Sequence, residues 1–80
     1  MSYSQELIDE LEILSLFDLR STQQGIKVHS NASPHAIAAT ERLYQKGFIT
    51  LKDGGYLTDL GYEAVGHAQS LFSVLDSRSG

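Results

Sequence analysis

Gly47 to Gly61, read as Gly-Phe-Ile-Thr-Leu-Lys-Asp-Gly-Gly-Tyr-Leu-Thr-Asp-Leu-Gly, constrains the fold more than any other segment of this chain. Gly47 follows a helical run and can take the left-handed conformation that satisfies a helix C-terminus. Asp53-Gly54-Gly55 supplies the positive-φ residues that a short hairpin turn requires, and Thr58 offers a hydroxyl to cap a helix starting at Asp59. A helix end, a tight hairpin and a helix start therefore follow one another directly. The hairpin strands are expected at about Phe48 to Lys52 and Gly55 to Leu57. An Asp53-Gly54 turn would set Leu51 opposite Tyr56 and Thr50 opposite Leu57, whereas a Gly54-Gly55 turn shifts that register.

The flanking segments supply the other elements. Ser4 can cap a first helix running to about Asp18, with Glu6 suited to the helix dipole and Leu7, Leu11 and Leu14 at helical spacing. From Ile13 the apolar stripe widens to Leu14, Leu16, Phe17 and Leu19, more than one helix face can take, so either both sides are covered within the domain or a second subunit covers one. Arg20 to Gln24 reads as a turn or one short helical turn, and Ile26-Lys27-Val28-His29 alternates as a short strand that could pair with the hairpin. Ser33-Pro34 is a helix start, with Ser as N-cap and Pro where its missing N–H costs nothing, and the second helix should run to about Lys46. A helical wheel puts Ala36, Ile37, Thr40, Leu43 and Tyr44 on the core side. It puts His35, Ala39, Arg42 and Lys46 on the other, beside Ala38 and Gln45. The third helix, about Asp59 to Asp76, carries a long apolar stripe of Leu60, Ala64, Ala68, Leu71 and Leu75, with Val65 and Phe72 alongside. Gly61 and Gly66 lower its helix propensity, which a close approach of backbone or another helix would explain.

These elements make one α+β domain spanning the 80 residues, with three helices and a small antiparallel sheet, the chain ends at 1–3 and 77–80 frayed. A chain this short buries only about 60 to 65% of its unfolded surface, and without cysteine it has no disulfide or thiolate-metal staple. Stability must come from packing or self-association. The absence of cysteine fits a reducing, cytoplasmic compartment, and Asp9, Glu10, Glu12 and Asp18 interrupt the N-terminal apolar residues, which argues against a signal peptide or membrane span.

Charge is segregated along the chain. Residues 1–19 carry −5, residues 20–52 carry +4 and residues 53–80 carry −3, for a net charge of −4. A basic middle between acidic ends can mark a polyanion-facing patch, or it can serve charge pairing within or between subunits.

Lys46-Gly47-Phe48-Ile49, the hairpin and Leu57-Thr58-Asp59-Leu60-Gly61 resemble the closing portion of bacterial winged-helix regulators, in which a recognition helix ends in Gly and two apolar residues, followed by a wing and a Leu-Thr-x-x-Gly helix start. The similarity covers Leu43 to Ala64. Over its length the chain also resembles a family of small bacterial proteins of unknown function, sometimes labelled DNA-binding, through Gly25-Ile26-Lys27-Val28-His29-Ser30 and Asp53-Gly54-Gly55-Tyr56-Leu57-Thr58. The resemblance implies a reduced winged-helix-like domain with a DNA-binding or transcription-regulatory role. One departure stands out: a complete winged helix has two helices between its first strand and the wing, and residues 30–47 have room for one, which disturbs ordinary major-groove docking.

The candidate nucleic-acid site is the side of the second helix that presents His35, Arg42 and Lys46, extended by Lys27, His29 and by Lys52 at the wing tip. Its partner would be double-stranded DNA, and the alternative use of the same residues is a solvated helix face. A homodimer through the first and third helices, using Leu16, Phe17, Leu71, Phe72 and Leu75, would cover the surplus apolar surface. The alternative function is then a non-catalytic protein-interaction module that has lost DNA binding. No cofactor or small-molecule substrate is expected: Glu63 and His67 share a helix face but lack a third metal ligand, and no nucleophile elbow or phosphate loop is present. Tyr44, Phe48, Tyr56, Phe17 and Phe72 are the large core candidates.

Overall fold

Polar side chains start the first two helices, and tightened, hydrogen-bonded turns end them. The computed structural model describes residues 3–17 and 25–79. Ser4 caps α1 (Gln5–Leu14), its hydroxyl accepting the Leu7 N–H at 3.2 Å. The helix stops short of Asp18 because Ser15 donates its hydroxyl to the Glu12 carbonyl at 2.6 Å while the Leu16 and Phe17 amides bond three residues back. This tightened turn delivers Phe17 to the core, where it is 3% exposed. Asp18, Leu19 and the turn expected at Arg20 to Gln24 lie outside the described residues.

After β1 (Ile26–Lys27), Ser33 caps α2 (Pro34–Gln45) by accepting the Ala36 N–H at 3.2 Å, with Pro34 in the first turn. A complete Schellman motif ends α2: Gly47, at φ +85°, donates to the Tyr44 carbonyl at 3.1 Å and Phe48 to the Leu43 carbonyl at 3.0 Å. The chain is thereby aimed into β2 (Ile49–Leu51), β3 (Gly54–Leu57) and α3 (Asp59–Ser79), whose last turn extends beyond Asp76.

The sheet is antiparallel with order β1-β3-β2, so the short strand joins the hairpin on its β3 side. The hairpin turn is neither of those expected. Lys52-Asp53 forms the loop, Leu51 faces Gly54 and Ile49 faces Leu57, with an irregularity between that sets Gly55 and Tyr56 against Thr50. Thr50 Oγ1 accepts the Tyr56 N–H at 2.9 Å, and Gly55 takes φ +75° at the bulge. On the other side of β3, Ile26 faces Gly55 and Lys27 faces Gly54; a Cβ at Gly54 would strike the Ile26 carbonyl, and one at Gly55 would strike the Thr50 and Leu51 side chains of β2.

Thr58 ties the hairpin to α3. Its hydroxyl donates to the Gly47 carbonyl at 2.6 Å and accepts the Gly61 N–H at 3.0 Å, while its own N–H reaches the Phe48 carbonyl at 3.1 Å. Gly61 is buried against that same carbonyl, which a Cβ at position 61 would overlap. Gly66, by contrast, has open space around it, so no close approach explains that glycine.

The core comprises Ile13, Leu14, Phe17, Ala39, Leu43, Ile49 and Val65, lined by Ile26, Val28, Ala36, Phe48, Leu57 and Ala64. The result is an α+β fold of three helices and a three-stranded antiparallel sheet. Three expected core aromatics are exposed instead: Tyr44, Tyr56 and Phe72. Ala39, expected outside, is fully buried, and the reason is α1, which packs chiefly on α2 across the face that carries Ala39, Arg42 and Lys46.

Candidate functional site

The basic side of α2 is the seam between two helices. Glu10, on the side of α1 that meets α2, is only 5% exposed and holds both cations: its carboxylate accepts Arg42 Nε at 3.0 Å and Lys46 Nζ at 2.5 Å. Arg42 also donates to the Glu6 carbonyl at 3.2 Å and lies 3.7 Å from the Glu6 carboxylate. His35 sits 3.8 Å from Asp9 at the opposite end of the seam, its side chain largely exposed. Burial pushes the Glu10 carboxyl up, but the hydrogen bonds and charges of Lys46 and Arg42 outweigh it and hold the group below its ordinary value of 4.5.

The segregation of charge along the sequence is thus resolved here by pairing within the chain, acidic α1 against Arg42 and Lys46 at the end of α2. A buried carboxylate needs such partners, because an ionised group left unpaired away from water is strongly disfavoured. What this geometry does chemically is hold two helices in register. It directs the Arg42 guanidinium, through Nε and a terminal nitrogen, and the Lys46 ammonium, through one bond, at α1.

The remaining candidate cations lie elsewhere. Lys27 and Lys52, with His29, line one cleft of about 410 Å³ between β1, α2 and the hairpin loop. Glu41 and Asp53 line the same cleft, beside Ile37 and Val28, so its charges balance. Neither Lys27 nor Lys52 forms an ion pair with a described residue. The six proposed nucleic-acid contacts therefore fall into two groups, Arg42, Lys46 and His35 along the α1 seam and Lys27, His29 and Lys52 at the cleft.

The apolar residues expected at a self-association surface also divide. Phe17 is in the core and unavailable at the surface, whereas Leu16, Leu71, Phe72 and Leu75 are 60, 58, 47 and 56% exposed. Val74 joins them at 56%. Gln69 Nε2 donates to the Phe17 carbonyl at 3.3 Å, and from Gln69 to Ser77 every α3 residue is exposed. The second half of α3 carries its apolar side chains past the edge of the core.

Among the described residues no group of three or more His, Cys, Asp or Glu side chains could hold a metal ion, and no helix is long and apolar enough to cross a membrane. The role of Glu10 could not be singled out from its sequence position, where it is one of five acids in the first nineteen residues. The signal that existed was the acidic first helix set against the basic segment that follows it.

Residues 1–76 match the profile of a family of unknown function, DUF5669, and the chain belongs to that family. No curated protein and no solved structure matches it.

Proposed function

We propose that this family member is a non-catalytic protein-interaction module whose working surface is the projecting half of α3, with self-association as one form of that interaction. The observation that carries the reading is the row of half-exposed Leu71, Phe72, Val74 and Leu75 on a helix already anchored at its other end by Val65 and Gly61. Solvated apolar side chains gathered on one rigid element are what a docking surface requires, since the scaffold has already lost the entropy that binding would otherwise take. The paired state of Arg42 and Lys46 favours this reading over one in which α2 grips DNA, because each phosphate contact would have to compete with Glu10.

The test is site-specific photo-crosslinking in the cells that make the protein. A benzophenone side chain replacing Leu71 should capture a protein adduct, and the same group at Lys52 should not. Absence of any adduct at position 71 overturns the reading.

A DNA-binding, transcription-regulatory role of the winged-helix kind is the second reading, favoured by Lys27 and Lys52 at the cleft, which no described carboxylate engages. Anisotropy titration of labelled duplex DNA at low and high salt tests it: phosphate-driven binding weakens steeply with salt. No binding at tens of micromolar protein removes it.

A further inference from the structure

The cleft between β1, α2 and the hairpin loop differs from the α1 seam in how its charges are used. Its inner residues are weakly polar: Val28 and Ile37 are half-buried, and Thr40, 1% exposed, has its hydroxyl committed to the Ala36 carbonyl at 2.7 Å. Around them stand two cations, Lys27 and Lys52, and two carboxylates, Glu41 and Asp53, all at exposed positions. None of these four forms a side-chain hydrogen bond or ion pair with a described residue. Along the α1 seam, by contrast, Arg42, Lys46 and His35 all meet carboxylates. Charges of both signs therefore surround one apolar hollow with their hydrogen-bonding capacity open.

The main chain holds the walls in place. Lys27 is paired with Gly54 across the sheet, the Val28 N–H donates to the Asp53 carbonyl at 2.7 Å, and the Ala32 N–H donates to the His29 carbonyl at 2.9 Å. Backbone bonds thus join the β1 wall to the hairpin loop, while Glu41 comes from α2. Supports fixed before a ligand arrives leave less entropy to lose on binding. The cleft's volume of about 410 Å³ lies within the range of small-molecule sites.

We propose that this cleft binds a small zwitterion with an aliphatic body, the chemistry of a free apolar amino acid. Lys27 and Lys52 take its carboxylate, Glu41 and Asp53 its ammonium, and its side chain lies on Val28 and Ile37. The charge balance selects this class. A ligand that is only anionic, a nucleic-acid phosphate included, loses to the two carboxylates what it gains from the two lysines, and a ligand that is only cationic meets the reverse. One that carries both charges is attracted by both pairs. Lys52 and Asp53 are consecutive residues that both line the cleft, so opposite charges stand on Cα atoms only about 3.8 Å apart, a spacing suited to an α-ammonium beside an α-carboxylate. The site lies apart from the projecting half of α3 and is independent of the interaction reading above.

Proton–nitrogen correlation NMR on the purified full chain at neutral pH tests the site, with L-leucine as the probe. Two analogues keep the aliphatic body and remove one charge each: isocaproate lacks the ammonium and isoamylamine lacks the carboxylate. Leucine should shift the amides of Val28, Ser30, Glu41 and Asp53 saturably, with a Kd on the order of 1 mM for charge contacts at the edge of solvent. Each analogue should bind at least about tenfold more weakly, the loss of one charge-assisted contact. Lys52→Gln and Glu41→Gln, both at exposed positions, should leave the rest of the spectrum in place and each weaken leucine binding by about tenfold. Isocaproate or isoamylamine binding as tightly as leucine would make this a site for one charge and overturn the proposal. Full leucine affinity in both variants overturns it too, and the absence of any saturable shift with leucine up to about 20 mM overturns it outright.

Discussion

Replacing Glu10 by Gln keeps the shape of the buried side chain and removes the charge that joins α1 to α2. Two charge-assisted hydrogen bonds are affected, from Arg42 at 3.0 Å and from Lys46 at 2.5 Å. A hydrogen bond to a charged group contributes about 1.5–3 kcal/mol. The Arg42 side chain is 26% exposed and merits most of that range, whereas Lys46 is 46% exposed and its bond is discounted to at most about 1 kcal/mol by solvent screening. The amide oxygen of Gln retains part of one bond, so the net loss is about 2–3 kcal/mol, which for a domain of this size lowers Tm by roughly 10–20 °C. Thermal and urea unfolding followed by circular dichroism measure it. The pH dependence supplies a second check. Because the folded-state pKa of Glu10 is lowered, its contribution is fully present above the unfolded value near 4.5 and is lost as pH falls through the folded value. Parent and variant should converge in stability below the ordinary carboxylate range. A loss under about 0.5 kcal/mol at neutral pH, the scatter of ordinary surface substitutions, would refute the view that Glu10 holds the two helices together.

Three further outcomes follow from the same geometry. Gly61→Ala should destabilise by about 1–3 kcal/mol because its Cβ meets the Phe48 carbonyl, whereas Gly66→Ala, in open space, should stabilise by up to about 1 kcal/mol through helix propensity; chemical denaturation compares the two directly. Thr58→Ala removes the α3 cap and the bond to the Gly47 carbonyl and should cost about 1–2 kcal/mol in the same assay. Arg42→Glu together with Lys46→Glu should destabilise the fold rather than merely abolish a surface function, since each new carboxylate would face Glu10 across the helix seam; a fully stable double variant contradicts the pairing.

Much of the fold is written locally. Ser33-Pro34, Gly47 and Thr58 each mark an element boundary because a cap needs one particular residue type at one position, and the structure places all three at helix ends. The hairpin register was not legible, since Lys52, Asp53, Gly54 and Gly55 offer more than one pair of turn residues, and β3 pairs with β1 on one side as well as with β2 on the other. The phase of α2 was misread for a related reason. Tyr44 and Ala39 are both compatible with burial by type, and which one faces inward depends on α1 arriving over Ala39 from thirty residues away.

The candidate site followed the same division. The cations of α2 were visible in the sequence, but their partner was not, because an ion pair between Glu10 and Arg42 spans thirty-two positions and no local pattern encodes it. The apolar continuation of α3 was visible because its repeat is local, and what the fold added was the point where the core ends, between Val65 and Phe72.

Photo-crosslinking from position 71 in the cells that make the protein tests the central claim most directly. The account predicts a protein adduct, to a second copy or to a different protein, abolished by Phe72→Glu with Leu75→Glu. A chain that captures no protein from position 71 would contradict it.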